Sequence, residues 1–253
     1  MPNVGGMSEN PSGPPSLPPL DESFERVLCI AAHPDDLEYG TAAAVHRWTQ
    51  QGRTVTYLLA TRGEAGIDTM PPCEAGPARE QEERDGAAVV GVDVVEFLDY
   101  ADGVMEPTLD LRRDICRAIR RLKPDVVVTG TQELRFRPGM SNQADHRAVG
   151  TAVLDAAKDA GNRWIFPELV DEGFEPWKGL KAVLMTPSAY ATHFLDVTGH
   201  LEPAIASLEA HRAYNDALPD DFPKPRELVT SILEMGSAAA GVEHALLFEV
   251  FAN

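Results

Sequence analysis

His33-Pro34-Asp35-Asp36 sets one imidazole and two carboxylates within a single turn, and Asp145-His146 repeats the pairing far downstream. His33 and Asp36 suit a divalent metal, which leaves Asp35 free beside them as a base. His146 is the natural third protein ligand. Two histidines and a carboxylate with an open fourth position make the pattern of a catalytic zinc site, because structural sites usually close all four positions. Asp145 then stands behind the ligands as a support, or caps a helix. The competing reading of the first cluster is structural: Asp35 or Asp36 caps the following helix and His33 bonds within a turn.

The elements around these residues bear on the choice. Residues 27–32 form a short, continuous apolar run, which fits a strand covered on both faces. Pro34 cannot donate to a sheet ladder and holds the residue before it extended, so the chain leaves the sheet at His33. In open α/β sheets that carboxyl end is where ligands bind. Three further expected strands also end in polar groups. Residues 54–60 lead to Arg62 and Glu64, 94–98 to Asp99 and Asp102, and 125–129 to a long loop, 131–145, that delivers His146. A parallel sheet would put all four clusters on one rim.

Helical patterns over 41–51, 79–90, 110–122 and 146–160 separate these strands. The alternation predicts an α/β fold, a Rossmann-like doubly wound and mostly parallel sheet. The last third is expected to add strands at 180–185, 193–197 and 245–251 and helices at 201–213 and 225–239, with a surface loop at 215–224. Together these form a smaller C-terminal α+β extension. The expected organisation is a single domain over 21–253, its core about 26–168 and its extension about 169–253. Residues 1–20 are rich in Pro, Gly and Ser, lack the apolar core of a signal peptide, and read as a disordered tail.

The formal net charge of −18 argues against nucleic acid or an anionic membrane as the partner. No run is long and apolar enough to span a bilayer. Cys29, Cys73 and Cys116 are odd in number and lack metal-ligand spacing, which suggests reduced thiols and a cytoplasmic location. Assembly into a homo-oligomer is left open.

The paired motifs AHPDDLE (residues 32–38) and DHRAVG (145–150) resemble the LmbE-like (PIG-L) zinc-dependent N-deacetylases. Supporting matches are TRGEAG at 61–66, Arg79-x-x-Glu82, Asp102-Gly103 and Phe166-Pro167-Glu168. The resemblance implies His33, Asp36 and His146 as ligands of Zn2+ or another divalent metal, and Asp35 as general base. It implies a small N-acetylated sugar or glycoconjugate as substrate, held by Arg79, Asp102 and Arg62. Asp145 and Gln143 complete the implied catalytic group. Where the family commonly reads His-Pro-Asp-His, this chain has Gln143-Ala144-Asp145-His146. Gln143 can donate a hydrogen bond to an oxyanion but cannot transfer a proton. The expected reaction is removal of an N-acetyl group from an N-acetylglucosamine-containing compound. Alternatives are an amidase for thiol-sugar (mycothiol-type) conjugates, or a catalytically weak sugar-binding homologue.

Overall fold

The computed structural model describes residues 17–137 and 139–253. The first elements are β1 (Arg26–Ala31), α1 (Asp36–Gly40), α2 (Ala42–Gln50), β2 (Thr54–Leu59), α3 (Pro72–Val89) and β3 (Val94–Phe97). Then come α4 (Leu109–Leu122), β4 (Val126–Thr129), β5 (Arg135–Arg137), β6 (Met140–Ser141), α5 (Ala144–Asp159) and α6 (Glu168–Asp171). The chain closes with β7 (Ala182–Met185), β8 (His193–Asp196), α7 (Leu201–Glu209), α8 (Arg212–Ala217), α9 (Pro225–Ala240) and β9 (Ala245–Ala252).

Seven strands make one sheet in the order β3-β2-β1-β4-β7-β9-β8. The pairings from β3 through β7 are parallel; β9 runs antiparallel to both β7 and β8. Side chains alternate across β1: Val27, Cys29 and Ala31 enter one apolar layer with α2 and α7, while Leu28 and Ile30 enter the other with α4 and α5. The expected doubly wound architecture is therefore present, with helices on both faces. The strand order reverses between β1 and β4, and the crevice at such a reversal is where open α/β sheets bind ligands. The turn leaving β1 carries the first motif, and the loop leaving β4 delivers the second in the first turns of α5. Among the described residues, no helix is long and apolar enough to cross a membrane.

Several boundaries differ from the sequence reading. Residues 1–16 of the expected tail lie outside the described residues, but Pro18 to Leu20 are paired with β8. The Pro18 carbonyl accepts from the Phe194 amide at 3.0 Å, and the Leu20 amide donates to the Phe194 carbonyl at 2.7 Å. Helix α3 begins at Pro72 instead of residue 79: Pro72 suits the first helical position, and burial of Ala75 and Gly76 carries the helix through Pro77 despite its missing donor. The long 131–145 loop contains the β5–β6 hairpin. The expected 201–213 helix breaks before His211, whose ψ of 62° is not helical. The helix expected from Thr41 begins at Ala42 with Thr41 as its N-cap, and a short further helix, α1, precedes it.

One glycine ties the fold to the second motif. A Cβ at Gly150 would stand 2.8 Å from the Gly130 carbonyl oxygen and 3.0 Å from the Gln132 amide nitrogen. Helix α5 therefore rests directly on the backbone leaving β4, one helical turn beyond His146. Gly150→Ala should push the helix outward, destabilise the protein by about 1–3 kcal/mol, and weaken metal binding through His146. Denaturant unfolding and metal titration of this variant check both effects.

Candidate metal centre and active site

The turn after β1 is closed by its own carboxylate. Asp36 Oδ2 accepts from the backbone amides of Ala32, at 3.1 Å, and His33, at 2.9 Å. Its other oxygen, Oδ1, lies 3.0 Å from His146 Nε2. His33 Nδ1 is 3.2 Å from the same His146 nitrogen. The three expected ligands thus meet from two strand ends.

Partners on the far side fix which nitrogen each imidazole presents. His33 Nε2 lies 3.0 Å from Asp102 Oδ1 and 3.3 Å from Asp145 Oδ2, two acceptors, so Nε2 carries the proton. Burial disfavours the charged His33 ring, but hydrogen bonds to Asp102, Asp145 and Asp36 outweigh it and hold its pKa well above the usual imidazole value. On the other ring, His146 Nδ1 is 3.1 Å from Asn142 Oδ1. The Asn142 amide nitrogen donates to the Thr131 and Glu133 carbonyls at 2.8 and 2.9 Å, which orients its oxygen toward the histidine. His146 Nδ1 must therefore donate, and Nε2 offers its lone pair inward.

Two ring nitrogens 3.2 Å apart with an anionic oxygen beside them need a positive charge between them, either a proton or a cation. Two imidazoles, one carboxylate and an acceptor behind each imidazole form a donor set that fits a divalent metal. His33, Asp102 and Asp145 also lie close enough to share an ion. Their atoms, however, already form the hydrogen bonds that orient His33.

Asp145, fully buried, is a support and not a helix cap: Gln143 holds the N-cap position of α5. Its carboxylate also accepts from the amides of Gly103 and Met105 at 2.7 and 3.1 Å, so it binds the loop after β3 to the site. Asp102 is nearly buried, and its second oxygen accepts from the Ala65 amide at 2.8 Å.

Asp35 stands beside the ligand cluster at a φ of 89°, a left-handed conformation that costs a non-glycine residue on the order of 1–3 kcal/mol. Burial pushes its carboxyl pKa up, Arg79 opposes this, and Asp36 adds to it, with a result of about 7. A carboxylate at that value is matched to proton transfer near neutral pH.

The remaining expected residues are placed differently. Arg79 is buried beneath Asp35, with Nη2 3.2 Å from Asp35 Oδ2. It is engaged by the protein instead of open to a sugar. Arg62 pairs with Glu80 at 3.0 Å and Asp99 at 2.8 Å, over the Phe97 ring. Gln143 is exposed, and its side chain makes no capping bond. Asn142 and Glu83, which contact the histidine and the base, escaped the sequence reading. The signal for Asn142 was its place just before a helix that starts with a ligand.

Residues 28–157, just over half of the chain, match the family model described as PIG-L: GlcNAc-PI de-N-acetylase. The chain belongs to this family. Diacetylchitobiose deacetylase of Thermococcus kodakarensis is 28% identical over 207 residues, covering 80% of this chain and 74% of that protein. A 1D-myo-inositol 2-acetamido-2-deoxy-alpha-D-glucopyranoside deacetylase of Kineococcus radiotolerans is also 28% identical, covering 78% and 70%. Among solved structures, N,N'-diacetylchitobiose deacetylase from Pyrococcus horikoshii superposes with a TM-score of 0.82 at 22% identity, covering 90% of this chain and 84% of that one. The 4-carboxy-2-hydroxymuconate hydratase of Pseudomonas putida KT2440 shares the fold as well, with a TM-score of 0.72, 17% identity, and 89% and 95% coverage. Fold alone therefore does not choose the reaction, which has to be argued from the site.

Asn142→Ala should leave the fold intact and lower divalent-metal affinity about 10–100-fold, as loss of a partner behind a ligand usually does. His33→Ala or His146→Ala should abolish tight binding. Metal content after dialysis against a weak chelator distinguishes the two grades of loss.

Proposed function

We propose that this PIG-L family member is a zinc-dependent hydrolase that removes the acetyl group from an N-acetylglucosamine-containing small molecule or glycoconjugate. The observation that carries the reading is the convergence of His33 Nδ1, Asp36 Oδ1 and His146 Nε2 beside a base, Asp35, raised to about 7. Deacetylation is favoured over the hydratase chemistry of a fold neighbour because the relatives of greater sequence identity carry deacetylase names. The free cysteines agree with a cytoplasmic location.

A divalent ion held by these three residues supplies Lewis-acid polarisation of the acyl carbonyl and a water that ionises near neutral pH. Asp35 takes a proton from the attacking water as its oxygen bonds to the acyl carbon. The carbon–nitrogen bond then breaks, and Asp35 returns the proton to the departing amine. The products are acetate and the free amino sugar. Asp102 and Asp145 hold His33 in register, and Asn142 does the same for His146. Gln143, at the mouth of α5, is suited to hydrogen-bond the substrate but not to act as an acid.

Asp35→Asn should retain the metal and lose about 10²–10⁴-fold in turnover, because an amide cannot accept the water proton. The assay is acetate release from a panel of N-acetylglucosamine derivatives by the zinc-loaded protein. Failure of the wild-type chain to release acetate from any of them would favour the non-catalytic sugar-binding alternative.

A further inference from the structure

Helix α3 carries Arg79 and Glu83 four residues apart, on one face. Both are buried, and both reach the same peptide unit in the turn after β1. Arg79 Nη2 donates to the Pro34 carbonyl oxygen at 2.6 Å. Glu83 Oε2 accepts from the Asp35 amide at 3.0 Å. The two contacts are complementary to the peptide: a guanidinium N–H meets its oxygen, and a carboxyl oxygen of Glu83 meets its N–H. The geometry points to Arg79 and Glu83 as positioning residues, a two-sided clamp on the Pro34–Asp35 peptide that holds Asp35 in its left-handed conformation beside the metal ligands. This assignment rests on Asp35 being the base.

The surroundings are shaped to the clamp. Arg79 Nη1 donates to the Gly63 carbonyl at 3.0 Å, and the Tyr214 ring lies 4.0 Å from its guanidinium carbon. A Cβ at Gly63 or Gly66 would fall 2.2 or 2.3 Å from Arg79 Nη1, so this glycine-containing loop folds around the guanidinium. Behind Glu83, His211 Nε2 lies 3.8 Å from Glu83 Oε2 and 3.6 Å from Glu38 Oε2, and all three residues are buried. A Cβ at Gly86 would stand 3.1 Å from His211 Nε2, so the missing side chain leaves room for the imidazole. His211 and Tyr214 belong to the C-terminal extension, which thereby backs the clamp from the far side.

Nothing about the clamp requires contact with substrate, and that separates it from a substrate-binding role for Arg79. If it acts through Asp35, removing it should matter only while Asp35 can act as a base. Glu83→Gln retains an oxygen that can accept from the Asp35 amide; Glu83→Leu does not. In zinc-loaded protein, Glu83→Leu should lower kcat tenfold or more with KM and metal content close to wild type, while Glu83→Gln keeps the greater part of kcat. In an Asp35→Asn background, Glu83→Leu should add little further loss, since coupled residues are not additive. An equal loss in both backgrounds overturns the clamp and leaves the base intact. A near-normal rate for Asp35→Asn alone overturns the base, and the clamp with it. Loss of a metal equivalent on Glu83→Leu would make Glu83 a ligand and also overturn the proposal. Should Glu83→Leu not fold, hydrogen exchange in the wild-type protein decides: slow exchange of the Asp35 amide supports the clamp, and exchange at the rate of an open loop refutes it.

Discussion

Two imidazole nitrogens facing one another at 3.2 Å set the terms for the whole site. With neither a proton nor a cation between them, two lone pairs at that distance would repel and the rings would turn away. They are held because each ring is anchored by its other nitrogen: His33 by Asp102 and Asp145, His146 by Asn142. Asp102 comes from the loop after β3, and Asn142 and Asp145 from the residues just before and within the first turn of α5. The sheet register, the direct seating of α5 on the β4 backbone and the binding of the 103–105 loop by Asp145 all serve this one opposition. The donor positions are set before any cation arrives, so binding requires little rearrangement.

The ligands were legible in the sequence because they are contiguous with simple signals. His33 and Asp36 follow an unbroken apolar run and flank a proline turn, and His146 follows the next strand that would lie beside it. The residues behind them were less legible, for identifiable reasons. Asn142 matters through the orientation of its amide, which depends on two carbonyls contributed by the loop that contains the hairpin. Glu83 and Arg79 lie on a helix whose charged residues suggest a solvated surface, yet both are turned inward. The family resemblance pointed to Arg62 and Gln143, but a motif match does not reveal direction: Arg62 is drawn aside by Glu80 and Asp99, and Gln143 stays exposed at a helix end. The element boundaries that shifted did so where tertiary contact overrode local preference, as at Pro77 within α3.

Asp35 shows how a fold can hold one residue outside its preferred backbone region and outside its usual ionisation range. The two conditions have a common origin. The tight turn that brings Asp36 back onto the amides of Ala32 and His33 leaves Asp35 with a positive φ, and the buried Arg79 and Glu83 of α3 packed against that turn help exclude water from its carboxyl. Relaxing either would free some strain and blunt the base, which is the usual tension between stability and activity at such positions.

The pairing of Pro18 to Leu20 with β8 bears on the behaviour of the chain in solution. A sheet of seven strands has two borders, and an uncovered border offers its amides and carbonyls to any extended peptide that drifts by. At the β3 border the strand is short, and Glu96 there is engaged by Arg121. At the β8 border the protection is the chain's own leading segment, which occupies the Phe194 amide and carbonyl. That segment, outside every motif and remote from the chemistry, acts as a guard against colloidal self-association: the few residues before the first strand contribute to keeping the enzyme dispersed rather than to making it active.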